Sequence, residues 1–147
     1  MFHGSSRLNL DSKGRLAIPA KYRDELVVSC EGRLVVTADP DHCLLVYPRQ
    51  EWEPIQKKLM SLSSFNAKTR ALQRLLVGYA EDVEMDGAGR ILLPGTLRTY
   101  AGLDKSVVIA GQGNRLELWD EEKWSQQSAM VGSLEEDMPS ELEGFSL

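Results

Sequence analysis

Apolar residues in this chain follow two rhythms. In several short runs they alternate with polar residues or come as β-branched pairs, the pattern of strands. These runs predict strands at Leu8–Leu10, Arg15–Ile18, Arg33–Thr37 and Leu44–Tyr47, then at Val83–Met85, Arg90–Leu93, Val107–Ala110 and Leu116–Trp119. Pro19 and Pro94 close the second strand of each group, since proline has no N–H to give to a ladder. Short helices are expected next, over Ala20–Leu26 and Gly95–Tyr100. Elsewhere the period lengthens. Trp52, Ile55 and Leu59 share one helical face, and Asn66 is placed to cap a helix over Ala67–Val77 with Leu72, Leu75 and Leu76 as its stripe. Asp120 is placed to cap a last helix carrying Trp124. These tryptophans and leucines read as packing residues.

The two groups of strands are copies of one unit. "LDSKGRLAIPAKYR" (10–23) and "MDGAGRILLPGTLR" (85–98) share Asp, Gly, Arg, Pro and a final Arg at a constant offset of 75. "RLVVTA" (33–38) matches "KSVVIA" (105–110), and "CLLVYPRQEW" (43–52) matches "RLELWDEEKW" (115–124), both at an offset of 72. The second copy is therefore expected to lack three residues around Thr99 to Asp104. One copy alone has four short strands and two unprotected edges, and pairing the copies closes the sheet. The expected fold is α+β, mainly β: a pseudo-twofold barrel of two tandem repeats with peripheral helices. The repeats fall at 1–56 and 80–130, with a helical connector at 57–79 and an acidic, mobile tail at 131–147.

Composition changes this picture little, and charge changes it more. The chain has 147 residues, 42% hydrophobic and 27% charged, ordinary for a globular protein. No window approaches the ~18 apolar residues of a membrane span, and "MFHGSSRLNL" lacks the features of a signal peptide. A cytoplasmic protein is expected. Cys30 and Cys43 have no cysteine neighbours at ligand spacing, so neither a disulfide framework nor a metal site is expected. The net charge of −5 conceals an uneven distribution. From Glu117 to Leu147 there are nine acids and one lysine, which leaves +3 on the other 116 residues. Lys57 to Arg74 holds five basic residues and no acid, although these also read simply as the solvated faces of two helices. The first 23 residues hold Arg7, Lys13, Arg15, Lys21 and Arg23 against Asp11 alone. A partner senses such local fields rather than the total.

The repeated Asp-x-x-Gly-Arg has a structural reading and a functional one. Between strands, Asp accepts backbone N–H bonds two or more residues on, and Gly supplies the positive φ that closes the turn. Asp11, Gly14, Asp86 and Gly89 are thus turn residues. Arg15 and Arg90 are not required by the turn. Each pairs either with its own Asp or with the facing copy, or else it is displayed to a partner, where its planar fork suits guanine or phosphate. Lys13 at the first turn adds a phosphate contact that its counterpart Ala88 cannot make, so the first turn should be the stronger contact. Arg7 is grouped with these as a candidate DNA contact.

"NLDSKGRLAIP" and "MDGAGRILLP", followed by "PRQEW" and "ELWDEEKW", resemble the MraZ family over about residues 1–130. The resemblance implies two tandem AbrB-like swapped-hairpin halves and rings of several subunits. It also implies binding to repeated G-containing boxes upstream of the protein's own operon in the division and cell wall cluster. It places the family's Asp-x-x-x-Arg on Asp11 and Arg15 and on Asp86 and Arg90. A sequence-specific, double-stranded-DNA-binding repressor, nucleoid-associated and without cofactor, is the expectation. The rival is an oligomeric protein-interaction scaffold. An enzyme is not expected: His3 and His42 lack a nucleophile, "HGSSR" lacks a serine-elbow context, and Gly87/Gly89 and Gly111/Gly113 lack a third glycine.

Overall fold

In the computed structural model, residues 1–130, 140–142 and 144 are described. The first copy supplies β1 (Ser5–Asn9), β2 (Arg15–Ala17), α1 (Ala20–Cys30), β3 (Arg33–Ala38), β4 (Leu44–Pro48) and α2 (Arg49–Met60). The connecting helix α3 (Ala67–Leu76) comes next. The second copy supplies β5 (Glu81–Glu84), β6 (Arg90–Leu92), α4 (Gly95–Ala101), β7 (Ser106–Gly111), β8 (Leu116–Asp120) and α5 (Glu121–Met130). A short 3-10 turn covers Ser140–Leu142. The mobile tail expected at 131–147 otherwise lies outside the described residues.

Caps sit where the sequence places them. The Asn66 side chain accepts from the backbone N–H groups of Lys68 and Thr69 at the start of α3, and Asp120 accepts from the N–H of Lys123 at 3.2 Å. Pro19 and Pro94 stand immediately before α1 and α4 in extended conformation, ending one element and starting the next. The first strand of each copy departs from its expected bounds. β1 starts at Ser5 and β5 at Glu81, earlier than the apolar pattern suggests, because the polar residues of an edge strand carry no burial signal.

The ladders interleave the two copies. β1 pairs with β7 and β5 with β3, so the first strand of each copy lies beside the third strand of the other. β4 pairs with β8 and β2 with β6, each across the pseudo-twofold axis. The result is a six-stranded antiparallel sheet in the order β1-β7-β8-β4-β3-β5 and a separate two-stranded ribbon of β2 and β6. Among the described residues no ladder joins the two, so the backbone bonds form two sheets rather than one closed barrel.

Register also corrects the sequence alignment. Leu34, Val36 and Ala38 face one core, and so do Val107 and Ile109, while Val35 and Val108 face the other. Leu34 therefore corresponds to Val107, an offset of 73 rather than 72. The alignment at 72 matched identical letters but put them on opposite faces of the sheet. β8 keeps 72, since Leu44 and Val46 pair reciprocally with Leu118 and Leu116. The second copy thus lost two residues where α4 is shorter than α1 and a third in the β7–β8 turn.

The sheet's two faces bury different things. On one face the main core holds Leu16 and Ile91 from the ribbon, Leu26 and Tyr22 from α1 and Leu97 from α4. On the other, Trp52, Ile55 and Leu59 of α2, Leu76 of α3 and Trp124 of α5 pack over Val35, Tyr47, Val108 and Trp119. Helices on both faces explain why β4 is buried along its whole length.

A candidate nucleic-acid interface on the two-stranded ribbon

The ribbon is the part of the molecule the repeated motif builds. Its inward residues, Leu16 and Ile91, are almost wholly buried and face each other across the axis. Alternation sends their neighbours outward. Arg15 and Ala17 of β2 and Arg90 and Leu92 of β6 therefore share the outer face, with Arg15 opposite Leu92 and Ala17 opposite Arg90. The two arginines are diagonal neighbours, about 7–8 Å apart in a ribbon of this kind.

Each turn forms as the sequence requires, but its strands part. Gly14 donates to the Asp11 carbonyl at 3.1 Å and Gly89 to that of Asp86 at 3.0 Å. The Asp11 carboxylate accepts from the backbone of Lys13 and of Arg15, both at 2.9 Å, and Asp86 does the same with Ala88 and Arg90 at 2.9 and 2.8 Å. Beyond the turn, β1 enters the large sheet and β2 enters the ribbon. The hairpin is thus divided between two sheets, with both strands paired to the other copy.

Each arginine pairs with the aspartate of its own motif. Arg15 Nε donates to Asp11 Oδ2 at 2.7 Å, and Arg90 Nε donates to Asp86 Oδ2 at 3.1 Å. These pairs are solvent-exposed, so their worth lies in orientation rather than stability. With Nε fixed, the two Nη groups of each guanidinium project as a fork, and no described residue bonds to them. The carboxylates respond. The backbone N–H of Arg15, then its side chain, lowers the Asp11 carboxyl from 3.8 to about 2. Asp86 is lowered too, chiefly by the backbone N–H of Arg90.

The final arginine shared by the two repeated stretches, Arg23 and Arg98, to which the sequence assigns no role, packs against the turns. Arg98 of the second copy lies against Gly14 of the first, its Cζ 2.6 Å from where a Cβ would stand. Arg23 of the first copy lies likewise against Gly89 of the second. Each also bonds a carbonyl just before the helix proline: Arg23 Nη2 to Ile18 at 2.8 Å, Arg98 Nε to Leu93 at 3.1 Å. Backbone bonds cross in the same sense, Leu93 N–H to Gly14 and Ile18 N–H to Gly89. Both turns are clamped by the opposite copy. The identical offset of Arg23 and Arg98 was the visible signal, but nothing local says what a residue eight positions after the motif will touch.

Lys13 is exposed at the first turn and Ala88 at the second. The shallow groove beside Lys13 is lined by Leu92 to Gly95 and Arg98, with Asp82 and Glu84 on its other side. Arg7 is not part of this surface. It alternates outward from Leu8 on the large sheet, where its Nη1 lies 3.5 Å from Glu121 at the start of α5. Among the described residues there is no cluster of His, Cys, Asp and Glu able to hold a metal, and no helix long and apolar enough to cross a membrane.

Comparison with known proteins agrees with this duplicated architecture. The model of the family described as "MraZ protein, putative antitoxin-like" matches twice, at residues 1–75 and 76–141. A protein of Nitrosospira multiformis named "Transcriptional regulator MraZ" is 60% identical over 147 residues, all of both chains. One of the same name from Nitrosomonas eutropha is 61% identical over 148 residues, again covering both completely. A third, from Thioalkalivibrio sulfidiphilus, is 62% identical over 84% of this chain and 83% of its own. With its two interleaved copies and full-length likeness to these proteins, the chain belongs to the MraZ family.

Proposed function

We propose that this chain is a transcriptional regulator, not an enzyme, that binds double-stranded DNA sequence-specifically through the outer face of the β2–β6 ribbon. One observation carries the reading: two arginines, each with Nε held by its own aspartate, are presented on one exposed face across a pseudo-twofold axis. A two-stranded ribbon fits the major groove, and a guanidinium fork matches the O6 and N7 of guanine. Arg15 and Lys13 carry most of the contact, Arg90 assists, and Arg7, which pairs with Glu121 elsewhere, contributes at most to long-range attraction. The relatives' name supports the regulatory part of this reading. The protein represses its own operon in the division and cell wall cluster. It binds repeated upstream boxes as a ring-shaped homo-oligomer, in which weak contacts at fixed spacing gain effective concentration.

Salt titration of binding to DNA upstream of the protein's own gene, against a shuffled duplex, tests this for wild type and Arg15→Ala. Affinity for the native duplex should be higher and fall steeply with salt, log K dropping by about 0.9 per phosphate neutralised for each tenfold rise. It should collapse in the variant while the oligomer persists. Equal, weak binding to both duplexes, untouched by the mutation, would make the arginines structural and favour an oligomeric scaffold.

A further inference from the structure

The outer face of the ribbon carries one side chain that its arginines leave unexplained. Leu92 of β6 is 56% exposed, whereas Leu16 and Ile91 on the inner face are buried. A strand with one face toward water normally alternates apolar-in with polar-out, and a leucine on the outer side departs from that pattern. Exposed leucines are common on protein surfaces, so exposure alone assigns nothing. Its place in the ribbon assigns more.

Leu92 stands directly opposite Arg15, and Ala17 directly opposite Arg90. The Leu93 N–H donates to the Gly14 carbonyl and the Ile18 N–H to that of Gly89, which fixes those as the hydrogen-bonded positions of the ladder. Alternation then makes Arg15 and Leu92 a non-hydrogen-bonded pair. Such pairs bring side chains closest, with Cβ atoms about 4.5–5.5 Å apart. The outer face therefore sets an isobutyl group beside the guanidinium of Arg15, and only a methyl group beside that of Arg90. The cation comes from the first copy and the apolar group from the second, so interleaving alone brings them together.

Leucine can neither donate nor accept a hydrogen bond, so it distinguishes bases only by apolar contact. In the major groove the methyl at C5 marks thymine, whereas cytosine presents an amino donor that a leucine leaves unpaired. Successive bases along one strand lie about 3.4 Å apart, so neighbouring side chains of this pair reach bases about one to two steps apart. We infer that Leu92 contacts the C5-methyl of a thymine one or two steps from the guanine that Arg15 reads. The inference rests on the ribbon's reading DNA, and it adds a second base type to what that face selects. Ala17 is too short for the equivalent contact, so the half of the site under Arg90 is read without it.

Replacing thymine by deoxyuridine removes the methyl and keeps the base pair, which isolates the contact. Duplexes from upstream of the protein's own gene, with single uracils at successive positions, are titrated with wild type, Leu92→Ala and Leu92→Met. For wild type, one uracil near the guanine lost to Arg15→Ala should weaken binding about fourfold, the worth of one buried methyl. Leu92→Ala should bind the thymine and uracil duplexes equally, with the salt slope of wild type, and Leu92→Met should keep the preference. Circular dichroism checks that the variants fold. Wild type indifferent to uracil at every position, or Leu92→Ala still preferring thymine, would overturn the inference while preference for the native over a shuffled duplex persists. Loss of that native preference in wild type would overturn the reading of the ribbon itself, and this contact with it.

Discussion

Two residues of each motif have jobs that substitution separates cleanly. Gly14 has a φ of +83°, and a Cβ there would displace the Arg98 guanidinium that lies on it. Gly14→Ala should cost about 1–3 kcal/mol from the backbone alone, and Gly89→Ala, at +77° against Arg23, should behave alike. Chemical denaturation measures both. Asp11 stabilises the fold as a carboxylate, since its value is lowered to about 2 from 3.8. A lowered carboxyl gives stability that is present above its unfolded value and lost as pH falls through the folded one. Wild type should therefore lose this contribution between pH about 4 and about 2, and Asp11→Asn should flatten that limb in an acid titration of the unfolding midpoint. The proposed DNA contact is best probed by gain. Ala88→Lys should raise affinity for the native duplex and steepen its salt slope by about 0.9, one more phosphate neutralised; an unchanged slope would show the second turn not to reach DNA. Much of this site was legible in the sequence. Asp, Gly and Arg at fixed spacing specify a turn and the cation at its exit. The clamp by Arg23 and Arg98 was not legible, because it joins residues that meet only when the copies interleave.

Among the elements, α3 is tied to the sheet beneath it by a buried hydroxyl. Thr37, in the middle of β3, is fully buried and donates from Oγ1 to the carbonyl of Leu76 at the end of α3. Thr37→Val keeps the shape but orphans that carbonyl, which should cost about 1–3 kcal/mol. Hydrogen exchange should show the loss first in α3 and the strand it feeds, β5. The sequence located the helices and eight strands because period and capping are local properties. It misassigned the third strand's alignment by one residue, since Val and Ile serve equally on either face of a sheet covered on both sides. Pairing between copies, which decides the face, is not local. The acidic residues of β5 escaped notice as strand for the same reason, as an edge exposes most of its side chains.

For the molecule as a whole, interleaving means that neither half has a fold of its own. Each ladder except those of β3 with β4 and β7 with β8 joins one copy to the other. A fragment of residues 1–75 should accordingly sediment as a dimer in which a second fragment supplies the missing strands, and lose its secondary structure on dilution. A folded monomer at all concentrations would contradict the interleaving. Fusing the halves has a further result. In a true dimer both turns must be identical, and such a protein reads a site the same way from either end. Here Lys13 faces Ala88 across the axis, and eleven-residue α1 faces seven-residue α4. The chain is thus symmetric enough to fold as a dimer would, yet it has a front and a back, and in the proposed assembly a row of such subunits would tell which way along the DNA it points.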